Sequence, residues 1–242
     1  HLLVVPLVLL RELRHKPQQA QLVKTGSAQF SAHQAPVIAI LGSYGKTTMK
    51  ELLLTVLSQG LRVAATPGNK NVSVSHAAFA KGLSGDEQVL LVEYGEGEPG
   101  DIARLAEVSH PDYAVITGLA PAHLDKYKTL DAAAKDIFSI TAFVQPKQVY
   151  VNADSAVVNP WIKKGMPTYS AQNILGWKVS EVQTNIQGTS FTLSKGAKKL
   201  QLQSGLLGRH QVAPIGLAAV LSLEFGLTKQ QVQAGVAFTT PF

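Results

Sequence analysis

Five apolar residues, Val37-Ile38-Ala39-Ile40-Leu41, run directly into Gly42-Ser43-Tyr44-Gly45-Lys46-Thr47-Thr48 and then into a segment with helical periodicity, Lys46–Ser58. A short apolar run closed by a glycine turn reads as a buried strand. Strand, tight turn and helix in that order commit the surrounding chain to an α/β architecture, because parallel strands need helical crossovers. The same order constrains the chemistry. Glycines at 42 and 45 allow backbone N–H groups to close around an anion, and the helix points its positive end at the same place. Lys46 is placed to reach the outer phosphates, and the Thr47 hydroxyl is a magnesium ligand by type and position. Ser43, Tyr44 and Thr48 complete the loop. The full G-x-x-x-x-G-K-[ST] pattern is not met, since Ile40 stands where its first glycine belongs; the shorter G-x-x-G-K-T-T remains. The segment reads as a nucleoside triphosphate site.

With 242 residues, 45% of them hydrophobic and 16% charged, the chain can bury a large core, which excludes global disorder. There is no cysteine, so disulfides, thiolate metal sites and cysteine nucleophiles are excluded together. Any metal must be held by oxygen or histidine. The net charge is +6, but the basic residues are scattered and no basic-aromatic stripe appears, so a nucleic-acid partner is not expected. Leu2 to Leu10 is almost wholly apolar and is followed by Arg11, Arg14, His15 and Lys16. A bilayer span takes about twenty residues, so this stretch reads either as the end of a membrane helix with a basic cytoplasmic flank or as a short helix packed on the domain.

From Gln18 to Pro36 periodicity is lost, and the stretch reads as a tether. Residues 1–36 are thus expected to be an apolar and basic N-terminal segment, and 37–242 the folded domain. Strands are predicted at Val37–Leu41, Arg62–Ala65, Gln88–Tyr94, Asp112–Thr117, Gln148–Val151 and Thr168–Ser170. Helices are predicted at Lys46–Ser58, Ser73–Gly82, Asp101–Ser109, Leu130–Phe143, Ser155–Lys163, His210–Phe225 and Thr228–Ala237. Such alternation predicts a mostly parallel sheet flanked by helices, with ligands at the carboxyl ends of its strands. Between Leu175 and Gln203 polar and apolar residues alternate around turns at Gln187-Gly188 and Lys195-Gly196, which predicts a small antiparallel meander at one edge.

A second constellation belongs to the same edge. Val89-Leu90-Leu91-Val92-Glu93 ends an apolar strand in a carboxylate, which makes Glu93 the acidic partner of Thr47 for magnesium. A strand-end glutamate paired with a surface lysine is the plainer reading. Tyr113–Thr117 runs into Gly118-Leu119-Ala120-Pro121-Ala122-His123, which sets His123 on a loop above that edge. There it is equally open to a metal or phosphate role and to ordinary polar surface.

Six segments in order resemble the Mur ligase family of ATP-dependent amide-bond ligases of bacterial cell-wall assembly. They are Gly42–Thr48, Thr66-Pro-Gly-Asn-Lys-Asn71, Glu93–Ile102, Pro111-Asp112 through Leu124, Val151-Asn-Ala-Asp154, and Gly208-Arg-His-Gln211 with the alanine-rich helix after it. Pro99-Gly100-Asp101-Ile102 and Pro121-Ala122-His123-Leu124 are most similar to members that add D-alanyl-D-alanine to a UDP-muramoyl tripeptide. The resemblance implies that ATP phosphorylates a substrate carboxylate and that an amine displaces the phosphate, with the protein positioning groups and neutralising charge. By it, Lys46 would stabilise the transferred phosphoryl group, Thr47 and Glu93 would hold a first magnesium ion, and His123 would serve a second. Asn69 and Asn71 would lie near the muramoyl substrate and His210 near the adenine. The implied partners are a UDP-linked or lipid-linked muramoyl peptide and an amino acid or dipeptide.

The sequence departs from the family in three places. Ungapped counting puts Ile137 where the family has a carbamylated lysine, with Lys135 and Asp136 beside it. Gln211 and Pro214 replace the asparagines of the family's G-x-H-N-x-x-N run. The chain ends at Phe242, where the family passes into its carboxyl-terminal domain, so the site is expected to need that further domain for closure. Two other readings stay open: an inactive ATP-binding scaffold, which Ile137, Gln211 and Pro214 support, and a related ligase of the folylpolyglutamate or cyanophycin type, against which only the Pro99–Ile102 and Pro121–Leu124 stretches speak.

Overall fold

A computed structural model of the chain describes residues 4–121 and 124–241; the side chains of residues 4–15 and 124 lie outside that description. Its frame is one ten-stranded sheet in the order β10-β9-β8-β7-β6-β5-β4-β1-β3-β2. The strands β1 (Val37–Leu41), β2 (Val63–Ala65), β3 (Val89–Glu93), β4 (Tyr113–Ile116), β5 (Val149–Asn152) and β6 (Thr168–Tyr169) pair in parallel. From β6 the pairing turns antiparallel through β7 (Asn173–Ile174), β8 (Trp177–Asn185), β9 (Gly188–Lys195) and β10 (Lys198–Ser204). The expected meander therefore continues the main sheet across β6 and β7.

Every residue of β1 and β3 is buried, because helices cover both faces. On one face Ile38, Ile40, Leu91 and Val115 pack under α2 (Lys46–Leu57), α7 (Val212–Glu224) and α8 (Lys229–Ala237). On the other, Ala39, Leu41, Val92 and Ile116 pack under α4 (Asp101–Ser109) and α6 (Leu130–Phe138), which follows the one-turn α5 (Leu124–Tyr127), with α3 (Ser73–Lys81) beside them. Alternate residues of one strand thus serve two separate cores.

Three expectations are corrected. The stretch from Gln18, read as a tether, is helical as far as Ala32 and belongs to α1 (Val4–Ala32). Gly26 lies so close to α3 that an added Cβ would run into Ala77 Cα, and Phe30 is buried with its ring 6.1 Å from that of Phe79. The contact face is made partly of small residues, Gly26 and Ser27, so apolar periodicity did not reveal it. The predicted helix Ser155–Lys163 is a series of turns with one 3₁₀ turn, Asn159–Trp161, because Pro160 has no N–H to give an α-helix. The predicted helix Leu130–Phe143 ends at Phe138 and continues as a 3₁₀ turn, Ser139–Ala142. Among the described residues no helix is long and apolar enough to cross a membrane. Leu2 and Leu3 lie outside the described residues.

Candidate active site

The chain passes from β3 over β1 to β4, so the crevice at the carboxyl ends of these strands is a topological switch point. Into it β1 delivers the loop Gly42–Gly45. Gly42 has φ 138° and an added Cβ would lie 2.7 Å from the Gly118 carbonyl oxygen, so only glycine fits that bend. Gly45 stands at φ 74° as the N-cap of α2. The loop is tied to the end of β4: the Ser43 N–H donates to the Gly118 carbonyl at 2.9 Å, and the Thr117 hydroxyl donates to the Tyr44 carbonyl at 2.5 Å. A free helix N-terminus with left-handed glycine before it and a lysine at its first position is a ready anion cradle.

Parallel pairing sets Glu93 beside Ile40, two residues before Gly42. Its carboxylate is almost wholly buried, and Oε2 accepts the Thr47 hydroxyl at 3.0 Å while Oε1 lies 3.4 Å from Asn71 Nδ2. The same Oε2 lies 3.5 Å from Nζ of Lys50, a fully buried lysine that also donates to the carbonyls of Thr66 and Gly68. The plainer reading of Glu93, a pair with a surface lysine, is thus replaced by a pair with a buried one. Behind Glu93, His76 donates from Nε2 to the Glu93 carbonyl at 2.8 Å, and burial lowers the imidazole pKa to about 4, so the ring is neutral.

Lys46 donates to the Gly42 carbonyl and lies 2.8 Å from Glu96 Oε2. Glu96 belongs to a pinned loop. Asp101 accepts the N–H groups of Gly97 and Glu98 at 2.9 and 2.8 Å, and Asp136 accepts that of Gly100 at 2.7 Å. The Tyr127 hydroxyl donates to Asp136 at 2.8 Å; burial and then the Asp136 charge push its pKa up, so it remains a donor. Ile137, by contrast, is fully buried among apolar residues and offers no ligand.

The loop divides two cavities. One, of about 430 Å³, is lined by Ser43, Lys46, Asn71, Glu96 and Asp101 among others. The other, of about 450 Å³, is lined by Tyr44, Thr48, Asn152, Asp154, His210 and Gln211 among others, with Pro214 in its wall. Asn71 and His210 are therefore brought to the site on opposite sides of the loop. Asn69 stands exposed in the turn before Asn71 and does not line the first cavity. His123, expected on the loop after β4, lies outside the described residues.

Among the described residues no group of three or more histidine or acidic side chains converges on one point. Thr47 and Glu93 offer one hydroxyl and one carboxylate. That donor set suits magnesium, which keeps several waters and takes the remaining oxygens from phosphates.

Lys50, His76, Thr117 and Glu96 escaped sequence reading. Lys50 carried a signal, since it follows Lys46 by one helical turn and so shares its side of α2. Glu96 sits three residues beyond a strand end, where only the fold decides direction.

The family model described as the Mur ligase middle domain matches residues 40–222. The UDP-N-acetylmuramoyl-tripeptide--D-alanyl-D-alanine ligase of Escherichia coli (strain K12) is 30% identical over 221 residues, which cover 84% of this chain and 46% of that protein. A crystal structure of MurF from Acinetobacter baumannii superposes with a TM-score of 0.81 at 21% identity, covering 93% of this chain and 50% of that one. MurF ligase from Thermotoga maritima in complex with ADP gives a TM-score of 0.77 at 19% identity, covering 93% and 53%. The chain spans about half the length of the relatives it matches.

Proposed function

The chain belongs to the Mur ligase family, and from that premise we propose that it is the ATP-binding centre of a carbon–nitrogen ligase of peptidoglycan precursor synthesis. The acceptor is a UDP-linked or lipid-linked muramoyl peptide, and the added group is D-alanyl-D-alanine, as in the E. coli relative's name. One observation carries the reading: the loop Gly42–Lys46 separates two cavities, so a nucleoside on the His210 side and a carboxylate substrate on the Asn71 side meet at the terminal phosphate.

Each residue's part follows from its place. Backbone N–H groups at the start of α2 hold the phosphates, and Lys46 neutralises charge on the group being transferred. Thr47 and Glu93 hold magnesium, which supplies charge stabilisation when bound. Lys50 and His76 fix Glu93 from behind. Asn71 orients the acceptor, and Tyr44, Asn152 and His210 frame the nucleoside. Joining proceeds through an acyl phosphate on the acceptor carboxylate, and the incoming amine expels phosphate. By the family resemblance, His123 would serve a second magnesium ion at the acyl phosphate. A further domain closes the two cavities against water.

The protein acts in the cytoplasm. The Leu2–Leu10 segment holds it at the inner membrane face, a reading supported by the apolar run and by Arg11, Arg14, His15 and Lys16 after it. Flotation with anionic vesicles tests this, and loss of flotation on deleting residues 1–10 is expected.

The main test is ATP turnover by the full-length protein with UDP-muramoyl tripeptide, with and without D-alanyl-D-alanine, following phosphate release and the joined product. Product that requires both substrates is expected. ATP binding without turnover on any muramoyl acceptor would overturn the ligase in favour of a scaffold.

A further inference from the structure

The phosphate-loop lysine is already paired. Lys46 Nζ lies 2.8 Å from Glu96 Oε2, with the side chains only 14% and 4% exposed. An incoming triphosphate needs that ammonium, so binding exchanges one anion for another at Lys46. The carboxylate cannot withdraw easily, because Asp101, Asp136 and Tyr127 pin the loop that carries it: Gly97 and Glu98 through Asp101, Gly100 through Asp136, and the Glu98 carbonyl through the Tyr127 hydroxyl. After the exchange Glu96 faces the phosphates across a partly enclosed cavity, where like charges are poorly screened. The second lysine of the helix does not relieve this, since Lys50 is engaged with Glu93 and the Thr66 carbonyl.

We propose that Glu96 is an affinity-determining residue that makes nucleotide binding conditional on a divalent cation: it competes with the phosphates for Lys46 and disfavours a nucleotide that arrives without a metal ion. A magnesium-complexed triphosphate carries less negative charge and tolerates the displaced carboxylate; the bare anion does not. This deepens the nucleotide-binding reading above and rests on it.

The test is calorimetric binding of ATP to the full-length protein in magnesium and in EDTA, for the wild type, Glu96→Gln and Glu96→Ala. Glutamine keeps the shape and removes the charge; alanine also removes the hydrogen-bonding group and serves if glutamine disturbs the loop. Affinity for metal-free ATP should rise roughly tenfold in both variants, while affinity in magnesium changes less, so the dependence on magnesium shrinks. Equal or weaker metal-free binding by the variants, with normal wild-type binding in magnesium, would overturn the role of Glu96 alone. A wild type that binds no nucleotide in magnesium would overturn the nucleotide site itself.

Discussion

The Thr47 hydroxyl donates to Glu93 Oε2 at 3.0 Å, joining the first turn of α2 to the last residue of β3 across the adjacent strands β1 and β3. Sequence alone pairs the two as magnesium ligands, and in the fold they meet directly although they stand 46 positions apart. Their meeting fixes the edge of the sheet where the glycine loop lies, and the following expectations are built on it.

Lys46→Ala should leave the fold intact and collapse nucleotide affinity or phosphoryl transfer by about a hundredfold or more. The residue opens α2 just after the loop, and β1 before it is untouched. Circular dichroism with nucleotide titration checks both halves; unchanged ATP binding and turnover would remove the phosphate-loop assignment.

Lys50→Met should destabilise the protein by about 3–5 kcal/mol, because it leaves the buried Glu93 carboxylate without its cation. The double variant Lys50→Met with Glu93→Gln should recover part of the loss. Denaturant unfolding of the two singles and the double measures that coupling.

Stability should fall as the pH drops from about 6.5 towards about 4 through His76, whose imidazole is buried against Tyr94 and lowered to about 4 in the fold. The unfolded chain takes up the proton first, so the native state loses ground across that window, by roughly 3 kcal/mol at its lower end. Above pH 6.5 both states are neutral at this residue and it contributes no slope. His76→Gln should flatten the stability profile between those limits; an unchanged profile would show that the ring is not held neutral.

Gly26→Leu should loosen α1 from the domain, since even a Cβ at this position meets Ala77 on α3. A loss of about 1–3 kcal/mol is expected, with new protease cleavage between residues 18 and 32. Ala28→Leu, on an exposed position of the same helix, is the control.

The strand, glycine loop and helix from Val37 to Leu57 were legible because every cue was local: an apolar run, glycines where the backbone must bend, and a periodic helix after them. The same holds for β3 and β4, whose apolar runs mark strands buried on both faces. The reading failed where partners are distant. α1 looked like a tether because its docking face is built on Gly26 and Ser27, which carry no hydrophobic signal. Ser155–Lys163 looked helical by composition, yet Pro160 removes a donor that the helix requires.

The sequence by itself determined the α/β class, the glycine loop between β1 and α2, and the family, since these depend on residue types in fixed local order. Tertiary structure alone decided that Lys46 faces Glu96, that Lys50 is buried against Glu93, and that one loop separates two cavities. Strand order and register bring these groups together, and charges meet through space while the chain lists them far apart.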